Sequence, residues 1–366
     1  MVEQLCLNGH DPSFLMPKPR GSKDDRPLNL KDIARKSGVS KSTVSRVVNG
    51  GVNVSEKTLE RVRAVIEQEG FVPNPGGRIL HLQQTFIIGI VLLHNIQDIF
   101  EDPYYFPLFL QGVNQATHAR NYATLLWIDA GVEDEEQFFR RILANRMMDG
   151  LVIASSRMNS PVIERLLDAN MKFVMVERPS NHASRVNYVV SDTLDSARGA
   201  VRHLIRSGYR RIGTITGRLD HVDGLDRLEG YRQALADAGL PFDPALVVEG
   251  DFTYASGYAS VQALLDRHVE ALFAATDRTA LGALQAIHEA GLRVPDDFAL
   301  VGYDNLAQYV QPPVVPLTSV DHHVLEKSRI ATEILIDLIE GKLDAPQQIS
   351  LPTELVVRAS SAPRRG

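Results

Sequence analysis

One cysteine, Cys6, in 366 residues rules out any intrachain disulfide. That poverty in thiols fits a chain folding in a reducing compartment, here expected to be the cytoplasm. Long apolar runs are missing as well. The strongest, Phe86 to Leu93, has eight residues, where a membrane-spanning helix needs about 20. The first 27 residues carry proline, glycine and mixed charge without the apolar core and small-residue cleavage site of a secretory signal. They are expected to form a mobile tail, and no membrane partner is expected. Signatures of common catalytic and nucleotide sites are lacking too: there is no GxGxxG after an apolar strand, no GxxxxGK[ST], no HExxH and no GxSxG. Asp220, His221 and Asp223 have metal-ligating chemistry but read more simply as a polar loop, and Cys6 in the tail is a poor nucleophile. No enzymatic activity, cofactor or metal is expected.

What the chain does contain is polarised. The formal net charge of −6 hides a segment, Lys18 to Arg63, with twelve Lys/Arg against five Asp/Glu, leaving −13 on the remainder. A basic head on an acidic body lets one end seek phosphates while the rest avoids unspecific contact. Within that head, Leu30, Ile33 and Ala34 share one face at helical spacing. Gly38 suits the left-handed turn ending this short helix, and Ser40 can cap the next. Val44, Val47 and Val48 form the inward face of the second helix, and Lys41, Ser42, Ser45 and Arg46 face out. This is the pattern of a helix-turn-helix, whose second helix enters the major groove; the ordinary alternative is a solvated polar face. A third helix begins at Val54-Ser-Glu-Lys-Thr-Leu59 with Ser55 as its cap, and Leu59, Val62, Val65, Ile66 and Phe71 close a small three-helix core. Phe71-Val-Pro-Asn-Pro-Gly-Gly77 then reads as a linker.

From Phe86 onward, apolar strands at 86–93, 124–128, 150–154, 173–176, 188–190, 211–216, 246–249, 271–274 and 299–303 alternate with amphipathic helices. The helices are expected at 109–120, 135–145, 160–170, 193–207, 227–238, 255–266, 279–290 and 324–340. That rhythm implies parallel sheets covered on both faces, and about nine strands suit two doubly wound lobes better than one.

The stretch LKDIARKSGVSKSTVSRVVNG, followed by VSEKTLERVRAVIEQEGFVPN and later by RRIGTITG, RLEGYRQAL, VGYDN and LTSV in order, resembles the lactose-repressor (LacI/GalR) family of bacterial transcription regulators. The resemblance runs from about Leu28 to Arg358. It implies an all-α helix-turn-helix DNA-binding head plus an α/β, two-lobed, periplasmic-binding-protein-like effector domain. The implied divisions are a tail at 1–27, the head at 28–73, a hinge at 74–85, a body at 86–358 and a tail at 359–366. Within the body, the N-lobe takes about 86–190 and 323–351 and the C-lobe about 191–321 and 352–358. A homodimer on a pseudo-palindromic double-stranded operator is the implied assembly. No heptad repeat follows Arg358, so no C-terminal coiled coil is expected.

The start of a recognition helix lies nearest the base edges, which assigns Lys41, Ser42 and Arg46 to base contacts, Lys and Arg suiting the acceptors of guanine. Ser40, Thr43, Ser45, Asn49 and Asn53 are assigned to the DNA backbone. By resemblance, Leu80 is the hinge residue that wedges into the minor groove; packing against the N-lobe is its alternative. Gly76 and Gly77 are poor helix formers at about 1 kcal/mol each. The hinge helix is therefore expected to be short or to form only on DNA.

Ligands of open α/β sheets bind beyond the carboxyl ends of strands. Polar and aromatic residues placed there are Tyr105, Phe106, Ser155, Arg227, Phe252, Asp277 and Asp304; by resemblance these match the family's ligand contacts, to which the resemblance alone adds His322. Carboxylates, an arginine and aromatic faces suit a polyhydroxylated effector, a sugar or sugar derivative. A nucleobase stacked on Tyr105 or Phe106 is the other candidate, and an acidic ligand requires Arg178 to reach the pocket. Each residue has a plainer role available: Arg227 and Asp304 as a buried ion pair, Tyr105 and Phe106 as core, Ser155 as a cap, His322 with His323 as an exposed pair. The expected function is an effector-controlled transcription regulator, more a repressor than an activator; a solute-binding protein for transport is the competing reading.

Overall fold

The computed structural model describes residues 28–48, 53–71, 84–92, 99, 102, 104–128, 147–154, 157–158, 160–306, 315–343 and 345–363. Asn49, Leu80, Ser155, the hinge glycines Gly76 and Gly77, and the helix expected at 135–145 lie outside the described residues. The chain divides into two compact units, Met1–Gln84 and Thr85–Gly366.

In the first unit, α1 (Leu30–Ser37), α2 (Lys41–Val48) and α3 (Glu56–Gln68) surround a core of Ile33, Ala34, Val44, Val47, Val62 and Phe71. Asn29 and Asp32 cap α1 reciprocally: the Asn29 side chain accepts from the backbone N–H groups of Lys31 and Asp32, and Asp32 accepts from that of Asn29. Gly38 ends α1 at φ +64°, a conformation that costs a residue with Cβ about 1–2 kcal/mol. Ser40 Oγ accepts from the Thr43 N–H at 3.1 Å and so caps α2. Ser55 occupies the cap position of α3, but its side chain bonds no backbone N–H there and meets Thr58 Oγ1 at 2.9 Å instead.

The second unit holds two six-stranded sheets. The first has the order β11-β5-β4-β3-β1-β2 and is parallel throughout, built from β1 (Ile87–Leu92), β2 (Ala123–Ile128), β3 (Gly150–Ala154), β4 (Phe173–Val176), β5 (Asn187–Ser191) and β11 (Gln348–Leu351). The second has the order β12-β10-β9-β8-β6-β7, from β6 (Ile212–Ile215), β7 (Val247–Val248), β8 (Ala271–Ala274), β9 (Ala299–Tyr303), β10 (Thr318–Asp321) and β12 (Glu354–Val356). Only β12 runs antiparallel to its neighbour there. Helices α4 (Tyr105–Ala119), α5 (Val162–Asp168) and α10 (Val324–Ile339) cover the first sheet; α6 (Thr193–Arg206), α7 (Val222–Asp237), α8 (Tyr254–Leu265) and α9 (Asp277–Glu289) cover the second. With helices on both faces, β3, β4, β8 and β9 are buried at every position, which is why they read as unbroken apolar runs. The chain passes between sheets three times: from β5 to α6, from β10 to α10, and from β11 to β12. The α/β, two-lobed, parallel-sheet architecture is the one expected. Among the described residues no helix is long and apolar enough to cross a membrane.

Candidate DNA-contact surface and ligand cleft

The exposed face of α2 is a consequence of what its other face buries. Val44 is fully buried and Val47 nearly so, which leaves Lys41, Ser42 and Arg46 exposed and Thr43 and Ser45 half-buried. Hydroxyls gather at the start of the helix: Ser40 Oγ lies 2.7 Å from Ser42 Oγ and 2.8 Å from Thr43 Oγ1. Ser40 thus has a structural task as a cap, in addition to any contact it makes outside. Asn53 is exposed at φ +59°, just ahead of α3. Two cations and a hydroxyl on the first turn and a half of a short exposed helix form a donor-rich face of a size that fits a major groove.

In the second unit, a cleft opens at the carboxyl ends of strands from both sheets. Five of the eight expected effector residues line it: Tyr105, Phe106, Arg227, Phe252 and Asp304. Asp102 accepts from the N–H groups of Tyr104 and Tyr105 at 3.0 and 2.8 Å, which starts α4 and aims its first turn at the cleft. Phe106 meets Tyr105 edge to face at 5.2 Å. Phe252 is held at φ +71° with its ring over Gly217, where a Cβ would lie 1.8 Å from the ring. Only glycine admits the aromatic wall at that point.

Arg227 on α7 donates from Nη1 to the Ala275 carbonyl at 2.6 Å and lies over the Tyr303 ring at 4.0 Å. Its Nη2 is 3.8 Å from Asp304 Oδ1, so the pair is both an ion pair and part of the lining. Burial outweighs the pull of Arg227 and holds the Asp304 carboxyl well above the usual range, with Asp277 adding to it. Burial, with Glu177, raises the Asp223 carboxyl to about 7, and burial also raises the Tyr105 hydroxyl.

Asp277 and His322 are placed differently from the other five. The Asp277 carboxylate accepts from Ser319 Oγ at 2.5 Å and from the Leu306 N–H at 2.6 Å, fixing the turn after β9. His322 is 2% exposed and not part of an exposed pair; its ring stacks on Tyr105 at 6.2 Å, off the lining. Arg178 does not line the cleft and instead pairs with Asp226 at 2.7 Å. Sequence reasoning passed over Asp102, Arg218, Asp251, Thr253, Thr276 and Arg278 and read Asp223 as part of a polar loop, yet all seven line the wall. Arg218, Asp251, Thr276 and Arg278 lie within four residues of a strand end, the same signal that pointed to Asp277. Asp220 and His221 hydrogen-bond each other at 2.8 Å, and among the described residues no group of three or more His, Cys, Asp or Glu is arranged to hold a metal.

Residues 29–74 match the bacterial regulatory proteins of the lacI family, and residues 201–361 match the periplasmic binding protein-like domain. The HTH-type transcriptional regulator CelR of Thermobifida fusca is 38% identical over 337 residues, 90% of this chain and 97% of that one. A solved complex of the transcriptional regulator CelR with cellobiose superposes with a TM-score of 0.71 at 36% identity, covering 92% of this chain and all of the other. The lac repressor dimer bound to operator and the anti-inducer ONPF gives a TM-score of 0.79 at 27% identity, with the same coverage.

Proposed function

The chain belongs to the LacI family of bacterial transcription regulators, and from that premise we propose that it is a repressor whose grip on operator DNA is set by a sugar taken into the cleft. The observation that carries the sugar reading is the cleft wall itself. Arg227 and Asp304 sit side by side as hydroxyl partners, with the aromatic faces of Tyr105, Phe106 and Phe252 available to a sugar's C–H surface. The similarity to a regulator solved with cellobiose makes cellobiose the first candidate.

In this reading, residues 28–73 hold the DNA, with Lys41, Ser42 and Arg46 at base edges and Ser40, Thr43, Ser45, Asn49 and Asn53 at the backbone. Residues 74–85 form the hinge with Leu80 in the minor groove, and the body from 86 to 358 binds the effector. Two copies act as a homodimer on a pseudo-palindromic site, as in the dimeric lac repressor–operator complex. The protein works in the cytoplasm, at the nucleoid, and binds its effector without converting it.

The test pairs a thermal-shift screen of cellobiose, sugar acids, polyols and nucleobases with gel shifts on DNA fragments from the protein's own locus. Cellobiose is expected to raise Tm in the wild type and not in Asp304→Ala, and to alter operator binding at the same concentrations. Arg46→Ala is expected to cost about 1–3 kcal/mol of operator binding and relax base preference. A nucleobase that shifts Tm where no sugar does would overturn the effector class; equal affinity for random DNA would overturn the operator reading.

A further inference from the structure

Beside the cleft lies a buried polar chain that the lining does not account for. Lys327, in the first turn of α10, has no exposed surface. Its ammonium donates to Oε1 of Glu177, the residue after β4, and to Nδ1 of His322 at 2.7 Å. The other imidazole nitrogen, Nε2, lies 3.1 Å from Asp304 Oδ1. The chain of contacts thus begins at the end of a strand in the first sheet and passes through the β10–α10 crossing. It ends on a cleft residue carried by the second sheet.

Stability alone gives no reason for this arrangement, because buried ion pairs replaced by apolar groups of like volume often leave a protein no less stable. Orientation does give one. An ammonium has donors only, so the nitrogen facing it must accept and carries no proton. Burial, together with Lys327, Arg227 and His323, holds His322 far below its ordinary range and therefore neutral. The single ring proton is then on Nε2, toward Asp304. Nε2 is within reach of Asp304 but out of line for a hydrogen bond. Glu177 Oε2 and Arg227 Nε are likewise buried without a hydrogen-bond partner.

Resting on the reading of the cleft as an effector site, we infer that Lys327 is a positioning residue of that site: it fixes His322 as the Nε2–H tautomer, and the imidazole so held sets the face that Asp304 offers to a ligand hydroxyl. Lys327 touches no ligand in this scheme and acts through the ring between.

The test uses full-length protein with ring-15N histidine and 13C-carboxyl aspartate. Across pH 5.5–8, the His322 signals of the wild type are expected to be those of a non-titrating Nε2–H imidazole. Lys327→Met alone leaves Glu177 as a lone buried charge and can fail to fold, so the double variant Glu177→Gln with Lys327→Met carries the test. In it, His322 is expected to lose its single tautomer and the Asp304 carboxyl resonance to move. Cellobiose is expected to bind about tenfold more weakly in calorimetric titration. An Nδ1–H or titrating His322 in the wild type overturns the inference. So does an unchanged tautomer in the double variant, or an unchanged cellobiose affinity where the wild type binds. If the wild type binds no cellobiose, the sugar reading fails and the two NMR signals alone decide the role of Lys327.

Discussion

At the start of α7, the partly buried carboxyl of Asp223 has lost much of its water and faces Glu177, which raises it from 3.8 to about 7. Between those values the folded body keeps a proton that the unfolded chain has released. Stability from this group is therefore fully present below about pH 4 and declines as pH rises through 7. Asparagine at this position cannot titrate. The Tm of Asp223→Asn is expected to fall less steeply than that of the wild type between pH 5 and 8 in scanning calorimetry; parallel curves would remove Asp223 as a source of the slope. The same residue shows how far a site can be read from sequence. Position after a strand end singled out Arg227, Phe252 and Asp304, all on the cleft wall, and the same rule chose Asp277. The rule is blind to which way a carboxylate is turned. Asp277 is taken up by Ser319, 42 positions on, and His322 by Lys327 and through it by Glu177, 150 positions from Lys327. Those contacts exist only once the sheets are assembled.

Among elements, α8 and α9 cross at a distance that two glycines determine. A Cβ on Gly257 would lie 2.0 Å from the Thr279 carbonyl oxygen, and one on Gly282 would lie 2.0 Å from that of Tyr254. Read along the chain, each glycine only weakens a helix, by about 1 kcal/mol relative to alanine. Packed together, they permit backbone contact that no other residue allows. Gly282→Ala is therefore expected to destabilise the body by about 1–3 kcal/mol in urea unfolding despite its better helix propensity. A gain in stability would mean the helices separate without cost. Hydropathy located nine strands within a residue or two but passed over β10, β11 and β12. Thr318, Ser319 and Val320 of β10 are buried, yet two of the three are polar. Thr318 Oγ1 donates to the Arg358 carbonyl and Ser319 Oγ to Asp277, satisfaction that a hydropathy pattern does not register. β11 and β12 are short, half-exposed strands at sheet edges. Helices α4 and α7 begin four and five residues before their amphipathic stripes, because their first turns answer to the cleft: Tyr105, Phe106 and Asp223 line it.

For the body as a whole, the cleft works as a switch only if a ligand prefers one arrangement of the two lobes, since the shift it causes cannot exceed its difference in affinity between them. Several contacts join the lobes besides the three crossings. The Met158 N–H donates to the Asp220 carbonyl at 2.7 Å, Arg157 pairs with His221 as an antiparallel bridge, and Arg178 donates to both carboxylate oxygens of Asp226. Allosteric coupling typically amounts to about 1–3 kcal/mol, so one rim contact can matter without being decisive. Arg178 is half-exposed, and exposed ion pairs are worth about 0.2–1 kcal/mol even when well formed. Arg178→Ala is therefore expected to weaken cellobiose binding by no more than about fivefold. The operator response should move to higher sugar concentration by the same factor, while operator affinity without sugar stays as it was. Titrating the gel shift with cellobiose for both proteins measures all three quantities. If the substitution instead changed operator affinity in the absence of sugar, the Arg178–Asp226 pair would belong to the DNA-binding arrangement itself, and the rim would be set before the ligand arrives.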